Sequence, residues 1–172
     1  MINSVIRGVI YFIVFVLIQV LILNNVYYLR IATPFLYLYF LLKLPVGVSK
    51  STILILSFLT GLTIDVFSNT PGMHAAACTF VGFYRAAMIR FLIGKDLVEG
   101  VFPSYAVFGV PGFLRYTFLF VFLHQVVLFL VESLTLFDPL FLAIRILSST
   151  LLSVILIAIV EAFNMEAVKN AE

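Results

Sequence analysis

The sequence predicts an all-α integral membrane protein, a single-domain bundle of about six transmembrane helices. Two observations predict it. The chain of 172 residues is 64% hydrophobic and only 10% charged, whereas a soluble domain carries roughly 25% charge. The apolar residues also gather in runs near the ~20 residues that cross a ~30 Å hydrocarbon core. Six such spans leave little of the chain outside the bilayer. The net charge of +2 is spread over single basic residues, without the run that tracks a nucleic-acid backbone. The lone cysteine, Cys78, excludes an intramolecular disulfide and leaves the redox compartment open.

The spans are expected near residues 5–24, 34–44, 51–67, 71–91, 115–132 and 139–162. Arg7 precedes the apolar run 9–23, which is long for a signal peptide and lacks a small-x-small cleavage site, so it reads as a retained first helix. Helix two is the shortest run. It is open to a tilted or re-entrant path, or to extension back through Val26, Tyr27 and Tyr28. Helices two, four and six each follow a cap residue and a proline: Thr33 with Pro34, Thr70 with Pro71, and Asp138 with Pro139. A cap side chain accepts from the first-turn amides, and proline at the first helical position gives up no needed donor. Ser49 or Ser51 serves helix three in the same way.

An N-terminus in the cytoplasm places Arg7, Lys43, Lys50, Arg85, Arg90, Lys95, Arg115 and Lys169 on the inner side, and only Arg30 and Arg145 toward the outside. That bias follows the positive-inside rule, and an even helix number puts the C-terminus inside as well. A five-helix arrangement exports Arg85, Arg90, Lys95 and Arg115 and is rejected. The stretch 92–114 reads as a cytoplasmic loop. It is punctuated by Gly94, Gly100, Pro103, Gly109, Pro111 and Gly112, yet is too apolar for a free linker. It lies in the inner interface or serves as a docking surface.

Polar groups within the spans are costly unless partnered. Gln19, Asp65 and Arg145 fall at a similar depth, by the ~1.5 Å rise per helical residue. An Asp65–Arg145 pair is one expectation. The other is that Asp65 sits at the water boundary and ends its helix. Ser57, Gly61 and Asp65 form a small-residue stripe on helix three, matched by Ala75, Ala76, Thr79, Gly82 and Ala86 on helix four. The two helices are expected to cross closely. Arg145, Ser149, Ser153 and Glu161 form a polar stripe on helix six, and His124 and Glu132 another on helix five. Such stripes face protein or a water-filled path, and interhelical hydrogen bonding is the reading preferred to a transport pathway. No zinc-binding, nucleophile-elbow or phosphate-loop motif is found. No catalytic, metal or cofactor residue is assigned, and Cys78 reads as a small packing residue.

Residues 61–75 read Gly-Leu-Thr-Ile-Asp-Val-Phe-Ser-Asn-Thr-Pro-Gly-Met-His-Ala. This stretch resembles the most recognisable segment of the bacterial rod shape-determining protein MreD family. That segment has a glycine, an aspartate four residues on, a proline- or glycine-containing turn and a small or polar helix start. The resemblance implies a non-enzymatic scaffold of the cell-elongation complex in the bacterial cytoplasmic membrane. It implies association with the bitopic protein MreC. Through MreC it implies connection to RodA, a penicillin-binding transpeptidase and MreB filaments. It also implies a fold like that of the substrate-binding subunits of energy-coupling-factor transporters, which supplies the alternative of a small-molecule-binding transporter subunit. That alternative predicts an enclosed, outward-facing polar cavity. On the scaffold reading, Gly61, Asp65, Asn69, Pro71, Gly72 and His74 shape the partner surface or its structural support, and Gln19, Asp65, His124, Arg145, Ser149 and Ser153 make intramembrane polar contacts.

Overall fold

The computed structural model describes residues 2–23, 32–94, 97–133 and 138–169, with side chains described within 8–165. Val26, Tyr27, Tyr28, Arg30 and Lys95 lie outside the described residues, as do the side chains of Arg7 and Lys169. The described residues form six helices: α1 (Ile2–Leu21), α2 (Leu38–Leu42), α3 (Lys50–Ser68), α4 (Met73–Leu92), α5 (Tyr105–Glu132) and α6 (Pro139–Lys169). Four of them, α3 to α6, are long and apolar enough to cross a membrane. Their outward faces carry Ile55, Phe58, Phe80, Phe118, Leu147 and Leu151, as a lipid-facing surface requires. The protein is a helical membrane protein.

Two starts agree with the cap reading, a third cap was not anticipated, and two expected starts are absent. Ser49 Oγ accepts from Thr52 N–H at 3.2 Å and opens α3. Asp138 Oδ1 accepts from Leu140 and Phe141 N–H at 3.0 and 3.2 Å, with Pro139 at the first position of α6. Ser104 caps α5 at Val107 N–H. By contrast, Thr70 and Pro71 do not start α4, which begins at Met73 behind Gly72. Thr33 and Pro34 start no helix either.

The larger correction is helix two. In place of a helical span over 34–44, residues 33–35 carry no regular structure and a turn at 36–37 leads into the five-residue α2. Residues 34–42 are buried without interruption. This crossing segment, 33–43, runs alongside α6. Its start is bonded to Ser149 and its end to Glu161, positions roughly 18 Å apart at ~1.5 Å per residue. Backbone that is not helical is tolerated at this depth only where protein surrounds it, and here α1, α4, α5 and α6 all contribute partners.

The stretch 92–114 also needs correction. Helix α5 starts ten residues earlier than expected and carries on through a kink at Gly109, whose φ of 68° and ψ of 160° no other residue type adopts readily. Pro111 follows in the first turn after the kink, where its missing N–H costs nothing. Gly109, Pro111 and Gly112 mark a bend within a helix, whereas Gly94, Gly100 and Pro103 lie in a loop as expected. What remains of the loop is pinned to the end of the crossing segment by two backbone bonds of 2.8 Å, Val46 N–H to Val101 O and Gly100 N–H to Val46 O.

Candidate functional site

The α3–α4 turn is built from the six motif residues, and each does something specific. Gly61 lets the two helices touch, since a Cβ there would lie 2.5 Å from Ala75 Cα. One turn lower the same crossing is kept by Gly82 against Ser57, where a Cβ would meet Ser57 Cβ at 2.9 Å. The close crossing expected from the small-residue stripes is present. Asp65 reaches from α3 across the turn. Its Oδ1 accepts from His74 N–H and Thr70 Oγ1–H, and its Oδ2 from Ala75 N–H, all at 2.9 Å. His74 and Ala75 are the second and third residues of α4, so Asp65 is the cap of that helix, supplied from the preceding one. A carboxylate at a helix N-terminus also complements the helix dipole. Asn69 ends α3 in the left-handed conformation at φ 54°, with its N–H on Asp65 O. Gly72 is left-handed at φ 83°, and Pro71 between them is exposed.

This geometry overturns the Asp65–Arg145 pair. Asp65 is consumed by the α4 amides, and Arg145 binds Glu132 through Nη2 at 3.0 and 3.1 Å. Gln19 joins neither. Its side chain clasps the crossing segment, donating to Pro34 O at 3.0 Å and accepting from Leu36 N–H at 2.8 Å. The polar stripe of α6 serves the same segment. Ser149 Oγ accepts from Thr33 N–H at 3.0 Å and Ser153 Oγ from Phe35 N–H at 2.9 Å. The stripe faces protein, as expected: Arg145 makes an interhelical contact with Glu132 of α5, whereas Ser149 and Ser153 take backbone amides of the crossing segment.

Three further anchors rest on Arg85, Lys43 and Tyr37, none singled out as a site residue in the sequence, and the last two meet Glu161, His74 and His124, which the sequence did mark. Arg85 is 1% exposed and donates to the carbonyls of Leu42, Leu44 and Pro45 at the end of α2. It is therefore no interfacial charge. Lys43 and Glu161 form an enclosed ion pair at 3.0 Å, and Glu161 also accepts from Tyr39 Oη at 2.6 Å and from Tyr105 N–H. Tyr37 Oη sits between His74 Nδ1 at 2.9 Å and His124 Nε2 at 2.8 Å, with Cys78 Sγ at 3.8 Å. The phenol donates to one imidazole and accepts from the other. The signal for the last two was the pair Tyr37 and Tyr39, whose hydroxyls need partners in an apolar core.

Two surface features lie beside the α3–α4 turn. A shallow lipid-facing groove of about 660 Å³ runs along α3 and α4, floored by Ala76 and Thr79 and walled by Leu54, Phe58, Phe80 and Phe83. It ends at Gly72 of the turn. A second cavity, of about 340 Å³, opens where α1, α3 and α5 finish and α4 and α6 begin. Among the described residues no group of three or more His, Cys, Asp or Glu is placed to hold a metal ion.

Comparison with protein-family models, curated proteins and solved structures finds no match.

The Gly61 approach leads to a direct expectation. Gly61→Leu forces α3 from α4 and lowers stability by about 2 kcal/mol or more, the range of overpacked cores. Unfolding of the purified protein in detergent measures it.

Proposed function

We propose that the protein is a non-enzymatic membrane scaffold of the bacterial cell-elongation complex, an MreD-like component of the cytoplasmic membrane. In this reading it supports lateral peptidoglycan synthesis and rod shape. Both termini lie in the cytoplasm. Its direct partner is an MreC-like bitopic protein. RodA, a penicillin-binding transpeptidase and, indirectly, MreB filaments are reached through that partner. The resemblance of residues 61–75 to the MreD segment supports the reading.

The observation that carries it is the groove on α3 and α4. Five of the buried polar side chains described above, Gln19, Asp65, Arg85, Ser149 and Ser153, hold this chain's own backbone. The groove is the opposite: apolar, open to lipid, and floored by small side chains at helical spacing. Membrane helices associate through such small-residue tracks, because lipid tails leave packing as the main drive. A partner helix lying in the groove would meet the exposed turn at Asn69, Pro71 and Gly72 as it leaves the bilayer.

Ala76 is exposed on the groove floor. Ala76→Phe is expected to reduce co-purification of a co-expressed MreC-like partner about tenfold, with the unfolding temperature of the isolated protein unchanged. Partner recovery equal to wild type would place the interface elsewhere.

A further inference from the structure

The cavity at the opposite side of the α3–α4 turn from the groove has features that partner docking does not use. Six parts of the chain converge on it: α1, the crossing segment, and the ends of α3 to α6. Its volume of about 340 Å³ lies within the range of small-molecule sites. One wall carries the Arg145–Glu132 ion pair. The rest mixes aromatic and aliphatic side chains, Phe35 and Phe129 among them, with the polar Thr33, Ser68, Thr70 and His74, and Phe35 packs edge-on to His74. The Arg145 guanidinium lies over the Phe129 ring, 4.4 Å from its centroid.

The ion pair is only partly committed. Its two contacts both use Nη2 of Arg145. The Nε and Nη1 donors carry no hydrogen bond among the described residues, and a guanidinium presents such donors as a planar fork to a carboxylate. Glu132 retains acceptor capacity, and its side chain is 39% exposed against 25% for Arg145. The wall therefore offers one cation and one anion side by side. A ligand with a single charge satisfies one of them and faces the other with like charge. A ligand carrying an ammonium and a carboxylate on one carbon meets both.

We infer that this cavity binds a small zwitterion, an α-amino acid with an apolar or aromatic side chain. The carboxylate takes the open edge of Arg145, the ammonium takes Glu132, and the side chain lies against Phe35 and Phe129. The inference is independent of the scaffold reading, since it involves neither the groove nor the turn's exposed residues.

The test is binding of radiolabelled L-phenylalanine and L-leucine to the full-length protein in nanodiscs. Competition by 3-phenylpropanoate, which lacks the ammonium, and by 2-phenylethylamine, which lacks the carboxylate, reads the two charges separately. Each analogue is expected to compete at least tenfold more weakly than L-phenylalanine. Arg145→Gln and Glu132→Gln are expected to abolish the preference for the zwitterion. Binding of neither amino acid at millimolar concentration overturns the inference. So does equal competition by both analogues, which marks a merely apolar pocket, or undiminished binding in Arg145→Gln. The analogue series uses the native protein, so it decides the question even where a variant folds poorly.

Discussion

Asp65→Ala is expected to destabilise the protein by about 3 kcal/mol, from loss of a helix cap (~1 kcal/mol) and exposure of unsatisfied amides (~1–3 kcal/mol). Three donors lose their acceptor together: the amides of His74 and Ala75 and the hydroxyl of Thr70. Asp65 is 3% exposed, so water does not replace it. Asp65→Asn keeps one oxygen and puts an NH₂ group against a donor, so its cost should fall between wild type and alanine. Thr70→Ala removes one bond of the three and should cost about 1 kcal/mol. Denaturation in mixed micelles gives the order directly. If alanine and asparagine prove equivalent and nearly neutral, Asp65 is not the cap of α4.

The second large effect is expected at Arg85. Replacing it with methionine preserves much of the apolar stem and removes the donors to Leu42, Leu44 and Pro45. Hydrogen bonds to charged groups contribute ~1.5–3 kcal/mol each, so a loss of about 3 kcal/mol or more is expected, with the end of the crossing segment released. Arg85→Lys restores a charge but not the fork that spans several carbonyls, and should recover only part of the stability. The native cysteine supplies a local reporter. Cys78 is fully buried beside Tyr37, so maleimide labelling should be slow in the wild type and faster in Arg85→Met. Equal labelling rates and equal stability would show that Arg85 does not hold the segment.

Periodicity and composition made the four long helices legible, because each must present an apolar face to lipid whatever its neighbours are. Local chemistry also made the α3–α4 turn legible. The spacing of Gly61, Asp65, Asn69 and Gly72 encodes a close crossing and two left-handed residues within one short stretch. What could not be read was the destination of the polar side chains. Divided into helices, the chain offers Gln19, Ser149 and Ser153 as contacts between helices and Arg85 as an inner-side charge. They are partners for the backbone of a segment assumed to be helical, and that assumption hid them. Thr33 and Pro34 misled for the same reason. The pattern that caps a helix in one setting leads irregular chain in another, since the residue before proline is biased away from the helical region. At Gly109 and Pro111 the error ran the other way, with a bend taken for an end.

The crossing segment has a consequence for how the protein is made. Its amide partners Ser149 and Ser153 lie 116 and 118 residues further along the chain, and the Tyr39 partner Glu161 lies 122 residues on. The start of the segment cannot settle in hydrocarbon alone, because the amides of Thr33, Phe35 and Leu36 are taken by side chains of other elements and not by local partners. During synthesis it must therefore wait, outside the bilayer or within the insertion machinery, until α6 emerges. Assembly of this chain is then completed from its C-terminal end, and a chain stopped after α5 would hold its early helices around an unfilled centre.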